Sequence, residues 1–341
     1  MLLTAAACPA RAEALSVSAE CAVLVCAESG EVLFGKNADR RCAIASITKI
    51  MTAVIALESA ADRDVVFTDE MAAEGSSLYL QKGDRLSMPE LVKGMMAVSG
   101  NDAANAVAVT VAGSLEAFAG LMNEKARQLG MSNTHFVTPS GLDDGQHYST
   151  ARDMALLCVY AMENEQFRSI VSQRKVTVSY EYPAGKTQVC VNHNKLLSTY
   201  EGCIGIKTGY TKKAGRTLTS CAERDGVRLI AVTLNDSNDW EDHRSMLDYG
   251  FSLYEPTAAV SAGECFELPV VGADRDSIMV CPEKDMIASV KKDGTDKLER
   301  KLYMPHFVYA PISKGTQVGE LCIFRNGRKL LSARLYAMQS A

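Results

Sequence analysis

Two short apolar runs, CAVLVC and EVLFG, stand at residues 21–35 around Glu28-Ser29-Gly30, the pattern of a β-hairpin. Comparable strand patterns return only after about residue 170, as VTVSY, TQVCVN, GRTLTSCAE and VRLIAVTLN. The stretch between reads as helices, and a closing helix follows over about 240–254. Strands divided between the two ends of a helical block do not have the alternation of a βαβ fold. Their order predicts an α+β domain, an antiparallel sheet with a helical cluster, over residues 17–256.

The helical block is well punctuated. A helix opens at ASITKIMTA and runs to about Ala61. Ser87 and Glu90 stand at capping-box spacing before LVKGMMAV, which predicts a helix over about 88–98. Ser99-Gly100-Asn101 breaks the chain before DAANAVAVTVA. Ser114 caps a further helix that ends at Gly130, and Ser149-Thr150 cap ARDMALLCVYAM. From residue 258 to 341 the pattern changes again, to short runs such as CFELPVV, SIMVCP, MIASVK, QVGELCIF and KLLSARLYA between Gly, Asp and Lys turns. These predict a small all-β C-terminal domain with no catalytic cluster.

A net charge of -5 with scattered basic residues argues against a nucleic-acid surface. Residues 1–12 are rich in small residues, and Ala10-Arg11-Ala12 has the small-x-small shape of an export cleavage site. They read as the tail of a signal peptide, and the protein as exported. Lipidation at Cys8 is not expected, because position 5 lacks a large aliphatic residue. The eleven cysteines show no C-x-x-C and no histidine at metal spacing, so neither a metal site nor a disulfide framework is expected. Several lie in apolar runs, where a reduced cysteine acts as a small hydrophobe.

Chemistry is concentrated in three short stretches. In ASITKIMTA, Ser46 and Lys49 lie one helical turn apart in an otherwise apolar run. Either Lys49 snorkels out of a core helix, or burial lowers its proton affinity and it takes a proton from Ser46. A serine needs such a base, and none of the five histidines (135, 147, 193, 243 and 306) sits in a triad context. Ser99-Gly100-Asn101 falls in a break between helices, where its side chains can enter a cleft. Lys207-Thr208-Gly209 reads as a strand entry, a cation, a hydroxyl and a bare backbone suited to a substrate carboxylate.

These stretches together resemble the serine D-alanyl-D-alanine carboxypeptidases among the low-molecular-mass penicillin-binding proteins. The resemblance extends through ASITKIMTAVIALE, GSSLYL, MMAVSGNDAANAVA, HFVTPSGLDDGQHYST, GIKTGYTKKAGRTL and RLIAVTLN, in that order. It implies Ser46 as the acylated nucleophile, Lys49 as its base, Ser99 as a proton relay, Asn101 on the substrate amide, and Lys207 as a positive charge that helps fix Ser99. The same resemblance gives Thr208, Gly209, Tyr210 and Thr211 to substrate binding, with the Ser46 and Tyr210 N–H groups as oxyanion hole. It implies no cofactor, peptidoglycan pentapeptide and β-lactams as ligands, and a place at the outer face of the membrane or wall. Sister activities of the superfamily are β-lactamase and D,D-endopeptidase, and an inactive wall-binding scaffold is the non-enzymatic alternative. One departure stands out. Where the family often carries a carboxylate-gripping arginine, this chain has Trp240, with Arg244 further on.

Overall fold

The computed structural model describes residues 15–341, so the expected leader remnant at 1–12 lies outside the described residues. Strands β1 (Cys21–Cys26) and β2 (Val32–Lys36) form the expected antiparallel hairpin. The late strands β7 (Cys203–Thr211), β8 (Gly215–Arg224) and β9 (Val227–Leu234) complete one antiparallel sheet of order β2-β1-β9-β8-β7. Every residue of β1 is buried, because the strand is covered on both faces. Cys21, Val23 and Val25 enter the core shared with the helical cluster. Ala22, Leu24 and Cys26 meet Met246 and Leu247 of the closing helix α8 (Asp239–Ser252).

The cluster comprises α1 (Lys49–Ser59), α2 (Met88–Val98), α3 (Asn101–Ala112), α4 (Leu115–Gln128), α5 (Ala151–Glu163) and α6 (Glu165–Val171). Ser114 and Thr150 cap α4 and α5 as expected, accepting from the N–H groups of Ala117 and Asp153. The capping box expected at α2 does not form. Ser87 makes no cap bond, and Glu90 instead pairs with Lys93 and accepts the Ser179 N–H at 2.8 Å. A tertiary partner has taken the carboxylate from its local role. Small pairs β3 (Asp64–Val66) with β4 (Arg85–Ser87), and β5 (Lys175–Ser179) with β6 (Thr187–Val191), flank the cluster, and α7 (Leu196–Thr199) leads into β7.

Beyond α8, β10 (Tyr254–Val260) pairs with β13 (Met286–Lys291) and carries the chain into the C-terminal unit. A six-stranded sheet completes this all-β unit. Its strands are β11 (Phe266–Val271), β12 (Ser277–Pro282), β14 (Leu298–Tyr303), β15 (Val308–Tyr309), β16 (Gln317–Arg325) and β17 (Arg328–Ala337), in the order β14-β16-β17-β12-β11-β15. Here the expectation about cysteines needs one correction. Phe266 pairs with Val280, which sets Cys265 opposite Cys281, and the two form a disulfide. The other eight described cysteines are free and mostly buried; Cys21 and Cys42 form no disulfide, and their thiols are hydrogen-bonded with sulfurs 3.4 Å apart.

Candidate active site

One 3-10 turn, Ala45–Thr48, precedes α1 and presents Ser46 half-buried at its surface. Lys49, the first residue of α1, is fully buried, and this excludes the snorkelling alternative. Its Nζ lies 3.0 Å from Ser46 Oγ, 2.7 Å from Asn101 Oδ1 and 2.7 Å from the Ser140 carbonyl. Burial first, and then the nearby Lys207 cation, push the Lys49 amine well below its usual range, while Asp102 opposes them. A neutral amine has two hydrogens and one lone pair. The Asn101 and Ser140 oxygens can only accept, so they take the two hydrogens. The lone pair is left facing the one partner that can donate, the Ser46 hydroxyl. This arrangement is that of a general base on a nucleophile.

Ser99 ends α2 in the left-handed region, at φ 63°, and is buried at the break before α3. Asn101 divides its amide, with Oδ1 on Lys49 and one Nδ2 hydrogen on the Glu74 carbonyl at 2.7 Å, leaving a second N–H for a ligand. The neighbouring Asp102 secures the loop in front of the cleft, accepting from Ser77 Oγ and the N–H groups of Leu78 and Leu80. That brings Ser76 into the cleft wall.

Lys207-Thr208-Gly209 lies within β7 rather than at a strand entry, on the outer edge of the sheet. Burial pushes the Lys207 amine down to about 7, and Nζ donates to the Thr208 carbonyl at 2.9 Å rather than fixing Ser99. Gly209 is required here. A Cβ would fall 2.9 Å from Ser46 N and 2.4 Å from Thr217 Oγ1, so only a bare backbone lets the β7 edge reach the Ser46 turn. Tyr210 follows with its side chain exposed. Thr211 departs from the expectation: it donates to Asp143 at 2.8 Å and accepts the Ala214 N–H, and it tightens the β7–β8 turn outside the cleft lining.

The cleft has a volume of about 610 Å³, and Ser46, Ser99, Thr208, Gly209, Tyr210, His193, Lys195, Arg216 and Trp240 line it. Arg216 is the residue that sequence reasoning missed. It pairs with Tyr210 across the β7–β8 ladder, so the two side chains share a face, a relation legible only once the register is known. One guanidinium nitrogen bonds both oxygens of Asp239, at 2.8 and 2.9 Å, and the group lies 5.6 Å from the Trp240 ring. A guanidinium therefore stands beside Trp240, supplied by a different strand. Arg244 instead turns away to the Thr199 carbonyl.

Comparison with known proteins bears on the family and the fold. A family model described as D-alanyl-D-alanine carboxypeptidase matches residues 8–238, and one for the penicillin-binding protein 5 C-terminal domain matches 254–341. The chain is 35% identical to the D-alanyl-D-alanine carboxypeptidase DacF of Bacillus subtilis, over 96% of the chain and 87% of the relative. With DacC of Escherichia coli the identity is 32%, over 99% and 88%. The solved D-alanyl-D-alanine carboxypeptidase DacD of Francisella tularensis superposes with a TM-score of 0.68 at 28% identity, covering 99% of this chain and 97% of that one.

Proposed function

The chain belongs to the D-alanyl-D-alanine carboxypeptidase family, and from that premise we propose that Ser46 is acylated when the enzyme removes the terminal D-alanine of a peptidoglycan pentapeptide. The observation that carries the reading is the three-way bonding of Lys49, which leaves its lone pair on the Ser46 hydroxyl.

Lys49 takes the Ser46 proton as Oγ attacks the carbonyl between the two D-alanines. The resulting oxyanion lies toward the N–H groups of Ser46 and Tyr210, at the point where Gly209 lets the strand approach. Ser99 passes its proton to the departing amine and is reprotonated from the Lys49 ammonium, the C–N bond breaks, D-alanine leaves, and Lys49 is neutral again. Water then attacks the Ser46 ester, returning the hydroxyl and freeing a tetrapeptide. Asn101 holds the substrate amide with its free N–H. The terminal carboxylate sits against Thr208 and the Arg216 guanidinium, with Lys207 supplying positive field behind them. A β-lactam presents a similar acyl group and carboxylate, and acylates the same serine.

Rapid release of that β-lactam ester typically runs through a glutamate-positioned water, as in class A β-lactamases. Among the described residues lining the cleft, the one carboxylate is Asp239, already bound to Arg216, which disfavours β-lactamase activity. Because the substrate lies in the wall, the proposal includes export to the outer side of the membrane. The Cys265–Cys281 disulfide supports this, since such bonds persist in oxidising compartments. Purified protein should convert a pentapeptide to a tetrapeptide with release of D-alanine, and Ser46→Ala should not. Trimming by Ser46→Ala at the wild-type rate would falsify the proposal.

A further inference from the structure

His147 is a buried histidine that the acyl-transfer steps leave unused, yet both ring nitrogens are committed. Its Nδ1 lies 3.0 and 3.3 Å from the backbone N–H groups of Val137 and Thr138, which can only donate. Nδ1 must therefore be bare, and the ring proton sits on Nε2, 2.9 Å from Thr48 Oγ1. Thr48 gives its own hydrogen to the Ala45 carbonyl at 2.8 Å. The chain of donors thus runs from the ring through Thr48 to the residue just before the nucleophile.

Ala45 is a non-glycine residue at φ 49°, a conformation that persists only where the surroundings enforce it. The loop whose N–H groups His147 binds also supplies the Ser140 carbonyl to Lys49 and the Pro139 carbonyl to Thr52, the latter at 2.6 Å. One imidazole therefore ties together both halves of the catalytic pair: the turn that aims Ser46 and the loop that aims Lys49.

We propose that His147 is a positioning residue for acylation, acting as a neutral Nε2–H imidazole that fixes the Ser46 turn against loop 137–141 through Thr48. The inference rests on Ser46 being the acylated residue. Burial first of all drives the ring down to about 4, with Asp144 and Asp143 opposing and the neighbouring His135 and Lys213 lowering it further. The ring therefore stays neutral over the working range.

The test follows fluorescent penicillin acylation in wild type, Thr48→Val, His147→Ala and His147→Gln, with thermal unfolding of each and ¹⁵N NMR of the histidines. Thr48→Val keeps the shape and severs the link. Its limiting acylation rate should fall about 10- to 100-fold, the scale of a small misplacement of reacting groups. The dissociation constant for penicillin should stay within about threefold, since the cleft walls are untouched. His147→Ala should fall equally, the double variant no further, and His147→Gln, which can both accept and donate, should recover part of the rate. The His147 ring should carry its proton on Nε2 unchanged between about pH 5 and 8. A folded Thr48→Val with the wild-type limiting rate overturns the role of His147, as does a proton found on Nδ1. Absence of any adduct on Ser46 in wild type overturns the underlying reading and this one with it.

Discussion

Burial of the Lys49 amine decides between the two readings that its spacing from Ser46 leaves open, a snorkelling lysine or a base. Lys49 sits without exposure, and burial together with the Lys207 charge lowers its proton affinity despite the oxygens around it, while Lys207, buried near it, is driven down to about 7. Acylation needs Lys49 deprotonated, so the rate should rise with pH through its lowered value. It should fall again above about 7, as Lys207 loses the charge that faces the substrate carboxylate. In Lys207→Arg the guanidinium does not titrate in this range, so the descending limb should vanish from the pH–rate profile, at some loss of absolute rate. A descending limb left in place assigns it elsewhere. Arg216 gives a second prediction at this scale. Arg216→Ala should raise KM for a pentapeptide about 10- to 100-fold, the worth of a charge-assisted hydrogen bond. It should scarcely alter turnover of a peptide ending in an amide. Steady-state assays on the two peptides check this, and equal losses on both would rule out carboxylate recognition. Sequence alone concealed Arg216, because its approach to the cleft depends on the β7–β8 register, which puts it opposite Tyr210.

Among the elements, the turn Ala45–Thr48 and the loop beneath it hold the tightest contact in the site. A Cβ on Gly141 would lie 2.0 Å from the Ala45 carbonyl oxygen, and Gly141 is itself at φ +83°. Gly141→Ala should therefore destabilise the protein by roughly 2–5 kcal/mol, from left-handed strain together with overpacking. Gly145→Ala in the same loop meets nothing within 4 Å and should be close to neutral. Urea unfolding of the pair checks this; similar stabilities would mean that the loop is not pressed against the turn. Most elements were legible, because strong local signals agreed with the fold. The caps at Ser114 and Thr150 and the apolar runs of β1, β8 and β9 are of this kind. Where tertiary contacts compete, legibility ended. Glu90 left its capping role for the Ser179 N–H, Lys207-Thr208-Gly209 proved to be mid-strand, and Thr211 turned to Asp143.

For the whole molecule, the C-terminal β unit attaches to the end of the sheet that carries the β1–β2 and β8–β9 turns, where Ser289 N–H donates to the Asp225 carbonyl. Arg325, nearly buried, donates to the Ser289 carbonyl at 2.8 Å, lies 3.4 Å from Glu28 in the β1–β2 turn, and stacks 5.5 Å from the Tyr254 ring. Arg328 adds bonds to the Ala27 and Glu28 carbonyls and to Glu163. The cleft lies at the other end of these strands, where Thr208, Gly209 and Tyr210 pair with Leu218, Thr217 and Arg216 beside the β7–β8 turn. Arg325→Ala should thus lower stability by about 1–3 kcal/mol, through unpaired buried groups, with kcat on a soluble pentapeptide unchanged within about twofold. Calorimetry and a D-alanine release assay separate the two effects. A large loss of kcat would show that the attached unit shapes the cleft. The small all-β unit was legible from its turn-separated runs, but the Cys265–Cys281 bond was not, since only the pairing of β11 with β12 brings those two cysteines together.

Peptide-mapped mass spectrometry of the penicillin-treated protein distinguishes Ser46 from every other nucleophile. Wild type should carry one equivalent of adduct on the peptide containing Ser46, and Ser46→Ala none. An adduct on any other residue, or undiminished labelling of Ser46→Ala, would contradict acylation at Ser46.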